Sequence, residues 1–422
     1  GTVTVPKYVT LRSKSGDWKT GATIHGVLNY VPTAAMSDPA VKRCVNLNAN
    51  ATIIGFNLLG GGGGNGTNNN GGINGGNRTT SVARNCRIAY CWGYGSASVQ
   101  KATLYDCLIT CCTNSKNQTA SPYQCDLYDC TISGMKTQAG VQGTLDCKAW
   151  RCTFENNAQL GNNSEAYDST FRGNAVSSVF VAKASSASLA NTAYVERCVF
   201  TNNTGSCLNC GGGYSSLTAK DCTFAKNRAA VSEGSCLELL DCPIYQNHIT
   251  TTGNSMSLLG SGVISNCVIH SNTGDSTVAS TSYFYGGIRY GSETTKFIKC
   301  TITNNWFTWN GERSKASKRK GCLFYDAGTG VTLIDCYIAN NGSGTYAFDG
   351  GNLYNTVVLD NDADYQFSAA SKHAMVNSSV ILTSGSGTTY SNSSADASPT
   401  NCVFWNGASC GESGKFIPVN CC

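Results

Sequence analysis

The sequence predicts an all-β protein, a right-handed parallel β-helix (a β-solenoid) of about fourteen or more coils. Three observations support this prediction. A short sequence motif recurs about every twenty residues. The motif pairs a small residue with a large apolar residue two positions later. Apolar runs with helical spacing are absent. A repeat of this length, which buries one face of each copy, is typical of solenoids.

The small residue of each copy, most often Cys, defines what we call the index position. The fourteen index positions are Cys86, Cys107, Cys130, Cys152, Ser169, Cys198, Cys222, Cys242, Cys267, Cys300, Cys336, Thr356, Ser379 and Cys402. Two positions later the sequence always has a large apolar residue. These residues are Ile88, Ile109, Ile132, Phe154, Phe171, Phe200, Phe224, Ile244, Ile269, Ile302, Ile338, Val358, Ile381 and Phe404. A period of two predicts a strand whose index and +2 side chains both face the interior.

Asparagine recurs five positions after the index residue. The copies are Asn157, Asn174, Asn203, Asn227, Asn247, Asn272, Asn305, Asn341 and Asn361. Asn tolerates the left-handed conformation of a sharp turn, and its amide can bond to the same residue of the next coil. We therefore expect a turn and an asparagine ladder at the +5 position.

The repeat also predicts how the chain is organised. We expect residues 1–58 to form N-terminal strands or a cap, with Thr52–Phe56 as an early coil, and residues 59–79 to form a loop rich in Gly and Asn. Residues 80–406 form the parallel β-helix, and residues 407–422 form a tail that contains Cys. A solenoid grows without new cores, so the unbroken repeat outweighs a chain length that would suit two or three domains.

Composition favours an extracellular protein. Charged residues make up only 13% of the chain, and the net charge of +5 is too mild to indicate nucleic-acid binding. No apolar run is long enough to span a membrane. The chain begins at Gly1, which is typical of a processed mature end. Its 24 cysteines favour an oxidising, secreted or cell-surface location. No cofactor is expected, apart from the calcium alternative considered below.

Most index cysteines are expected to fill the core, because Cys behaves as a small hydrophobe. Two pairs are predicted to stack on consecutive coils, either as disulfides or as buried free thiols. The first pair is Cys91 and Cys112, both at +5, and the second is Cys125 and Cys147, both five residues before an index Cys.

Five further cysteines are disulfide candidates. They are Cys207, Cys210, Cys410, Cys421 and Cys422. Cys207 and Cys210 have zinc-type spacing, but no clear second pair accompanies them. The three in the tail would bond back to the last coil or reach another molecule. A solenoid end is an open sheet edge, so end-to-end stacking into a filament is also expected.

The residue before the index position forms a column of charges. From Asp129 to Asp221 the sign alternates at each coil, which predicts a ladder of ion pairs. Two pairs of neighbours, Asp106 with Asp129 and Asp221 with Asp241, have like charges. They are explained by a solvated face, by a calcium site at Asp106 and Asp129, or by an acid/base pair at Asp221 and Asp241.

A second candidate site combines aromatic and basic residues. They are Tyr283, Tyr285, Trp306, Trp309, Arg313, Lys318, Arg319 and Lys320. Aromatic rings stack on sugar faces and cations hold acidic groups, so this region suits a glycan. The alternatives are a subunit contact and packing of the loops against the solenoid.

The Phe-x-x-Asn copies, such as Phe154 to Asn157 and Phe200 to Asn203, and the segment Gly286-Gly287-Ile288 resemble the repeats of polymorphic outer-membrane protein passengers. More broadly, residues 80–406 resemble the secreted right-handed β-helix proteins of the pectate-lyase-like superfamily. The resemblance implies surface display, adhesion or polysaccharide binding.

The sequence as a whole predicts a non-catalytic extracellular structural or adhesive protein, reinforced by disulfides, that self-associates as a homo-oligomer or filament. One alternative is a polysaccharide lyase or glycoside hydrolase that uses Asp221 and Asp241. The other is a glycan-binding module at a cell surface. We predict no nucleic-acid partner and no membrane span.

Overall fold

The chain folds as a right-handed parallel β-helix, as predicted, and in the described residues every regular element is a β-strand. The structure is a computed structural model. It describes residues 2–26, 42–63, 70–93, 98–114, 122–135, 146–156, 164–175, 178–183, 191–211, 215–235, 237–252, 255–277, 285–290, 294–309, 322–325, 330–342, 346–363, 365–367, 373–382, 388–390 and 397–405. The chain divides into two compact units. The first is Gly1–Lys183 with Ala187–Gly205, and the second is Ala184–Ser186 with Ser206–Cys422.

Each coil of the first unit contributes a strand to two parallel sheets. The leading sheet lies just before the index residue, and its strands are Thr10–Arg12, Thr52–Ile54, Val82–Arg84, Thr103–Tyr105, Asp126–Tyr128, Lys148–Trp150, Glu165–Tyr167 and Asn191–Glu196. The index sheet follows the index residue, and its strands are Thr23–His25, Asn57–Leu59, Arg87–Ala89, Leu108–Thr110, Thr131–Ser133, Thr153–Glu155, Thr170–Arg172 and Val199–Thr201. The remaining strands of this unit are Val3–Val5, Val45–Leu47, Ile73–Gly75, Val99–Gln100, Trp92–Gly93, Thr113–Asn114 and Ser178–Lys183.

The second unit repeats the same plan. Its leading strands are Ser215–Lys220, Leu237–Leu240, Gly262–Ser265, Thr295–Ile298, Val331–Ile334, Gly351–Tyr354, His373–Val376 and Ala397–Thr400. Its index strands are Thr223–Ala225, Pro243–Tyr245, Val268–His270, Thr301–Thr303, Tyr337–Ala339, Val357–Leu359, Ser379–Ile381 and Val403–Trp405. Shorter sheets are formed by Ser206–Gly211, Ser232–Gly234, His248–Thr251, Thr273–Ser276, Trp306–Trp309, Ser255–Leu259, Tyr285–Tyr290, Cys322–Tyr325, Tyr346–Asp349, Tyr365–Phe367 and Thr388–Tyr390.

The interior is built from the +2 residues, as predicted. In the first unit Phe154 stacks on Phe171 and Phe171 on Phe200, with ring centroids 4.8 and 4.6 Å apart, and all three are fully buried. Thr52–Ile54 pairs with Thr10–Arg12 on one side and Val82–Arg84 on the other, which confirms an early coil there. In the described residues, no helix is long and apolar enough to cross a membrane.

The asparagine ladder is present, but its turn lies elsewhere than predicted. From Asn227 to Asn361 each buried amide donates to the Oδ1 of the next copy at 2.8–2.9 Å. In the first unit Asn174 donates to Asn203 at 3.0 Å, whereas Asn157 lies outside the described residues. The left-handed residue is the one before, at +4, for example Asn156 with φ of 54°. The +5 residue is therefore not the left-handed residue of the turn, and its side-chain amide points inward.

A second left-handed residue separates the leading strand from the index strand. It is the residue before the index position, with φ of 48° at Asn85, 52° at Asp106 and 52° at Arg151. Asn and Asp adopt this conformation more easily than most residues, which explains why they dominate the column. The turn directs each of these side chains to the exterior, where all are exposed.

In one coil the predicted index position is wrong by a single residue. Ser379 pairs with Val357, so Ser379 lies one position after the index site. The index residue of this coil is Ser378, and its +2 residue is Val380 rather than Ile381, because Ser378 and Val380 are both 1% exposed. A slip of one residue exchanges the two faces of a strand. Both Ser378 and Ser379 suit a small-residue position, so the sequence pattern alone did not choose between them.

Candidate functional site

A column of stacked aromatic side chains runs along the outside of the first unit's leading sheet. Tyr105, Tyr128, Trp150 and Tyr167 occupy the same register two positions before the index residue. Their ring centroids are 4.9, 4.6 and 5.7 Å apart, and neighbouring rings are within 11° of parallel. The intervening residues of these strands point inward. We call these four residues the aromatic column.

Both ends of the aromatic column are covered. The guanidinium of Arg84 lies 3.8 Å from the centroid of the Tyr105 ring, a cation–π contact. At the other end Tyr194 packs on Tyr167 with a centroid distance of 5.8 Å and a tilt of 46°. Since the ring faces contact one another, the column presents ring edges to its surroundings.

A column of charged residues lies beside the rings, four positions before the index residue. Asp126, Lys148 and Glu165 are in register on consecutive coils. The Lys148 Nζ lies 2.9 Å from a Glu165 oxygen. Arg78, which comes from a turn outside the sheet, lies 2.7 Å from Asp126 and 3.3 Å from Asp146.

The other flank is the column of exposed residues before the index position. Arg151 makes two hydrogen bonds of 2.7 Å to Asp129, and Arg197 makes bonds of 2.7 and 3.0 Å to Asp168. These bonds hold the pKa values of both aspartates below their ordinary value. The ion pairs expected from the alternating charges are therefore present here. Together, the aromatic column and its two charged flanks form what we call the aromatic face.

Two phenols of the aromatic face, those of Tyr128 and Tyr167, have raised pKa values. Desolvation raises the pKa of Tyr128. Tyr167 donates its hydroxyl to a Glu165 oxygen at 2.9 Å, and desolvation together with this bond raises its pKa to about 12. Both groups are therefore protonated at neutral pH and act as hydrogen-bond donors.

The candidate catalytic pair lies on exposed turns. Asp221 and Asp241 occupy the left-handed position with φ of 53° and 56° on consecutive coils. Each backbone N–H donates to the coil that follows, to Leu240 and Ser265. In the described residues neither carboxylate forms an ion pair. A general acid is usually a carboxyl group whose pKa is raised by burial or by a close like charge. Asp221 and Asp241 are not buried. Their catalytic role stays a prediction.

The calcium alternative at Asp106 and Asp129 competes with an ion pair. The two oxygens of Asp129 are both bonded to Arg151. Within the described ranges, no group of three or more His, Cys, Asp or Glu residues is placed to hold a metal ion. Calcium prefers six to eight oxygen ligands, so this pair alone would be a poor site.

The second predicted site is largely outside the described residues. Tyr283, Arg313, Lys318, Arg319 and Lys320 lie there, as do the side chains of Tyr285 and Trp309. Trp306 is described and is 38% exposed. Its ring lies against the backbone of Gly342, where a Cβ atom would come within 2.3 Å of the ring. One ring face is therefore covered, and the glycan role of this region stays a prediction.

In the described residues, no disulfide joins Cys91 to Cys112 or Cys125 to Cys147. The stacking itself is as expected, because Thr113 N donates to Cys91 O, and Cys125 N donates to the Cys147 Sγ at 3.4 Å. Their thiols are buried in the core as small hydrophobes.

Cys207 and Cys210 both lie on the strand Ser206–Gly211, and in the described residues no disulfide joins them. Three residues of extended chain span about 10 Å, too far for a disulfide between them. Cys410, Cys421 and Cys422 lie outside the described residues.

The aromatic column was overlooked in the sequence, although the signal was available. All four rings are two positions before an index residue, so the alignment on the index position already placed them in one file. Arg78 carried no such signal, because it lies outside the repeat and reaches Asp126 only through the fold.

Comparison with known proteins gives limited information. No protein-family model matches the chain, and no curated protein matches it. Among solved structures, a mutant tailspike protein of E. coli bacteriophage HK620 in complex with a hexasaccharide is 13% identical, with a TM-score of 0.35, and covers 96% of this chain and 71% of its own. Tailspike protein 3 of bacteriophage CBA120 is 11% identical, with a TM-score of 0.23 and coverages of 90% and 54%.

A PL6 alginate lyase in complex with a trisaccharide is 10% identical, with a TM-score of 0.32, and covers 94% of this chain and 86% of its own. At these values the fold assignment rests on the sheets described above. The resemblance to outer-membrane passengers stays a prediction.

Proposed function

We propose that the chain is a non-catalytic extracellular or cell-surface β-solenoid that binds a glycan along the aromatic face. The observation that carries this proposal is the aromatic column between two charged columns on consecutive coils. Coils repeat about every 4.8 Å. A linear glycan laid along the face would therefore meet a similar set of groups at each coil.

The groups on the face suit sugar hydroxyls. The Tyr105 and Tyr128 hydroxyls and the Trp150 indole N–H are donors, and a carboxylate has about four lone-pair positions, of which an arginine pair uses two. The Arg151 and Arg197 pairs hold the Asp129 and Asp168 carboxylates in fixed orientations. Binding through ring edges and oriented carboxylates does not require the ring faces, which are already covered.

The same contacts argue against cleavage at this face. Lowered pKa values keep Asp129 and Asp168 ionised, so neither suits the role of general acid. The phenols of Tyr128 and Tyr167 have raised pKa values and do not suit the role of base. A lyase or hydrolase that uses Asp221 and Asp241 is the alternative, and loss of polysaccharide cleavage in Asp221→Asn would support it.

The test compares substitutions of two aromatic residues, one in each unit. Trp150→Ala removes the centre of the aromatic column, and we expect glycan affinity, measured by calorimetry, to fall about tenfold or more. Tyr337→Ala is the control, because Tyr337 is an exposed aromatic residue of the second unit and lies on an index strand rather than a leading strand. Equal affinity of Trp150→Ala and the unsubstituted protein would contradict the proposal.

A second function, self-association, is supported by the exterior of the second unit. Ile298, Ile334, Tyr354 and Val376 form a continuous outward column on four consecutive leading strands. Tyr354 is exposed and the other three are half-buried, and apolar stripes at a surface are typical of protein contacts. The stripe carries no charge that would select a charged partner. We therefore propose that it contacts a second copy of this chain, in a homo-oligomer or filament.

Sedimentation velocity tests self-association. We expect Ile334→Lys to shift the protein toward the 44.4 kDa monomer, whereas Lys at the outward residue Thr332 on the same strand should not. A monomer before any substitution would contradict self-association without affecting the glycan proposal.

A further inference from the structure

We infer that the glycan bound by the aromatic face is neutral rather than acidic. This inference rests on the proposed function and adds the chemical class of the ligand. It follows from how the charges of the face are already used.

Among the described residues, the cations of the aromatic column's register and of its two charged flanks already have partners, and so does Arg78 beside them. Lys148 lies 2.9 Å from Glu165, Arg151 is bonded to both oxygens of Asp129, and Arg197 is bonded to both oxygens of Asp168. Arg78 is shared between two carboxylates, and Arg84 lies over the Tyr105 ring. An acidic sugar would have to take one of these cations from the protein.

That exchange offers no net gain. A sugar carboxylate that displaced Asp129 from Arg151 would make the bonds that the protein already makes, and would leave Asp129 without its partner. The face also carries more negative than positive groups, although the whole chain has a net charge of +5. The negative groups of the three columns are Asp106, Asp126, Asp129, Glu165, Asp168 and Glu196, and the positive groups are Arg84, Lys148, Arg151 and Arg197 with Arg78 beside them. A polyanion would therefore be repelled as it approached.

A neutral glycan avoids both costs. Its hydroxyls donate to the carboxylate lone pairs that the cations leave unused, and accept from the Tyr105 and Tyr128 hydroxyls. The ion pairs stay intact, so they act as orienting groups. Binding of this kind should depend little on ionic strength, since no counter-charge is exchanged.

The experiment measures affinity for neutral polymers, such as dextran, galactomannan and β-glucan, and for the acidic polymers alginate and polygalacturonate. We expect a neutral polymer to bind, with an affinity that changes less than about twofold between about 0.05 and 0.5 M NaCl and that falls about tenfold or more in Trp150→Ala but not in Tyr337→Ala. If an acidic polymer binds instead, in a salt-sensitive way that Trp150→Ala abolishes, the neutral class is overturned and the proposed function stands. If no polymer binds, or Trp150→Ala binds as the unsubstituted protein does, the proposed function itself fails.

A charge variant provides a second, independent readout. Asp129→Asn keeps a residue suited to the left-handed turn but releases Arg151, so we expect binding of alginate to appear at low salt. Asp221→Asn is the matched control, because it removes one negative charge at the same turn position of the second unit without releasing a cation. Equal alginate binding by the two variants would overturn the inference that pairing, rather than net charge, sets the ligand class.

Discussion

The two units have the same interior and different exteriors. Both place a small residue and a +2 apolar residue inside each coil, and both turn through a left-handed residue just before the index position. Outside, the first unit carries stacked ion pairs, among them Arg151 with Asp129 and Arg197 with Asp168. At the register where the first unit has its aromatic column, the second unit has the apolar column that includes Ile298 and Ile334. The winding of the chain fixes the inward positions and leaves the outward columns free to take on separate functions.

The largest effect should come from the shared interior, and it should be similar in the two units. Phe171 and Ile269 both occupy the +2 position and are fully buried. We expect Phe171→Ala and Ile269→Ala each to lower the free energy of unfolding by about 4 kcal/mol, from lost burial and the cavity that remains. Denaturant unfolding followed by circular dichroism measures this. A cost below about 1 kcal/mol in one unit would show that its interior is not packed as the comparison requires.

The +5 position differs between coils: it is Asn from Asn227 to Asn361 in the second unit and at Asn174 and Asn203 of the first, but Cys in two earlier coils of the first unit. In the second unit the Asn272 Oδ1 accepts from both the backbone N–H and the side-chain amide of Asn247. Asn272→Ala leaves these buried donors without that acceptor, so we expect a loss of about 3 kcal/mol. In the first unit Cys112 occupies the +5 position and makes only weak sulfur contacts near 3.5–3.9 Å. Cys112→Ala should therefore cost only about 1 kcal/mol, and equal costs would contradict the ladder's role.

The sequence was sufficient to predict the interior, because each inward position repeats its residue type. Cys, the +2 apolar residue and Asn recur on consecutive coils, and one alignment places them all. The exterior was less predictable, because its residues change type from coil to coil and act through pairing. Arg78 illustrates this difference, since it lies outside the repeat and bonds Asp126 across 48 positions of sequence. The slip at Ser379 shows that a single coil is ambiguous where two small residues are adjacent.

Alkylation tests whether the +5 cysteines of the first unit, Cys91 and Cys112, are thiols or form a disulfide. Burial raises the pKa of Cys112, so in the folded protein this thiol should resist alkylation at mildly alkaline pH. The neighbouring Cys111 is partly exposed and serves as the internal control. After unfolding without a reductant, mass spectrometry should find both alkylated. Cys112 protected even in the unfolded chain would instead indicate a disulfide with Cys91.

The smallest expected effect is a difference in acid sensitivity that follows from the ion pairs. Arg151 and Arg197 hold the pKa values of Asp129 and Asp168 below those of the unfolded chain. A lowered folded pKa contributes stability that is present above the unfolded pKa, near 3.9, and is lost as the pH falls through the folded value. Because both pairs are exposed to solvent, their contribution to stability should be small.

The urea midpoint should therefore fall slightly more steeply below about pH 4 in the unsubstituted protein than in Asp129→Asn with Asp168→Asn. Asp221→Asn is the matched control from the second unit, where this turn aspartate has no cation partner among the described residues. Its acid profile should follow that of the unsubstituted protein. If the double variant and the control had the same profile, the ion pairs would contribute nothing to folding, and their ordered geometry would be explained by ligand binding alone.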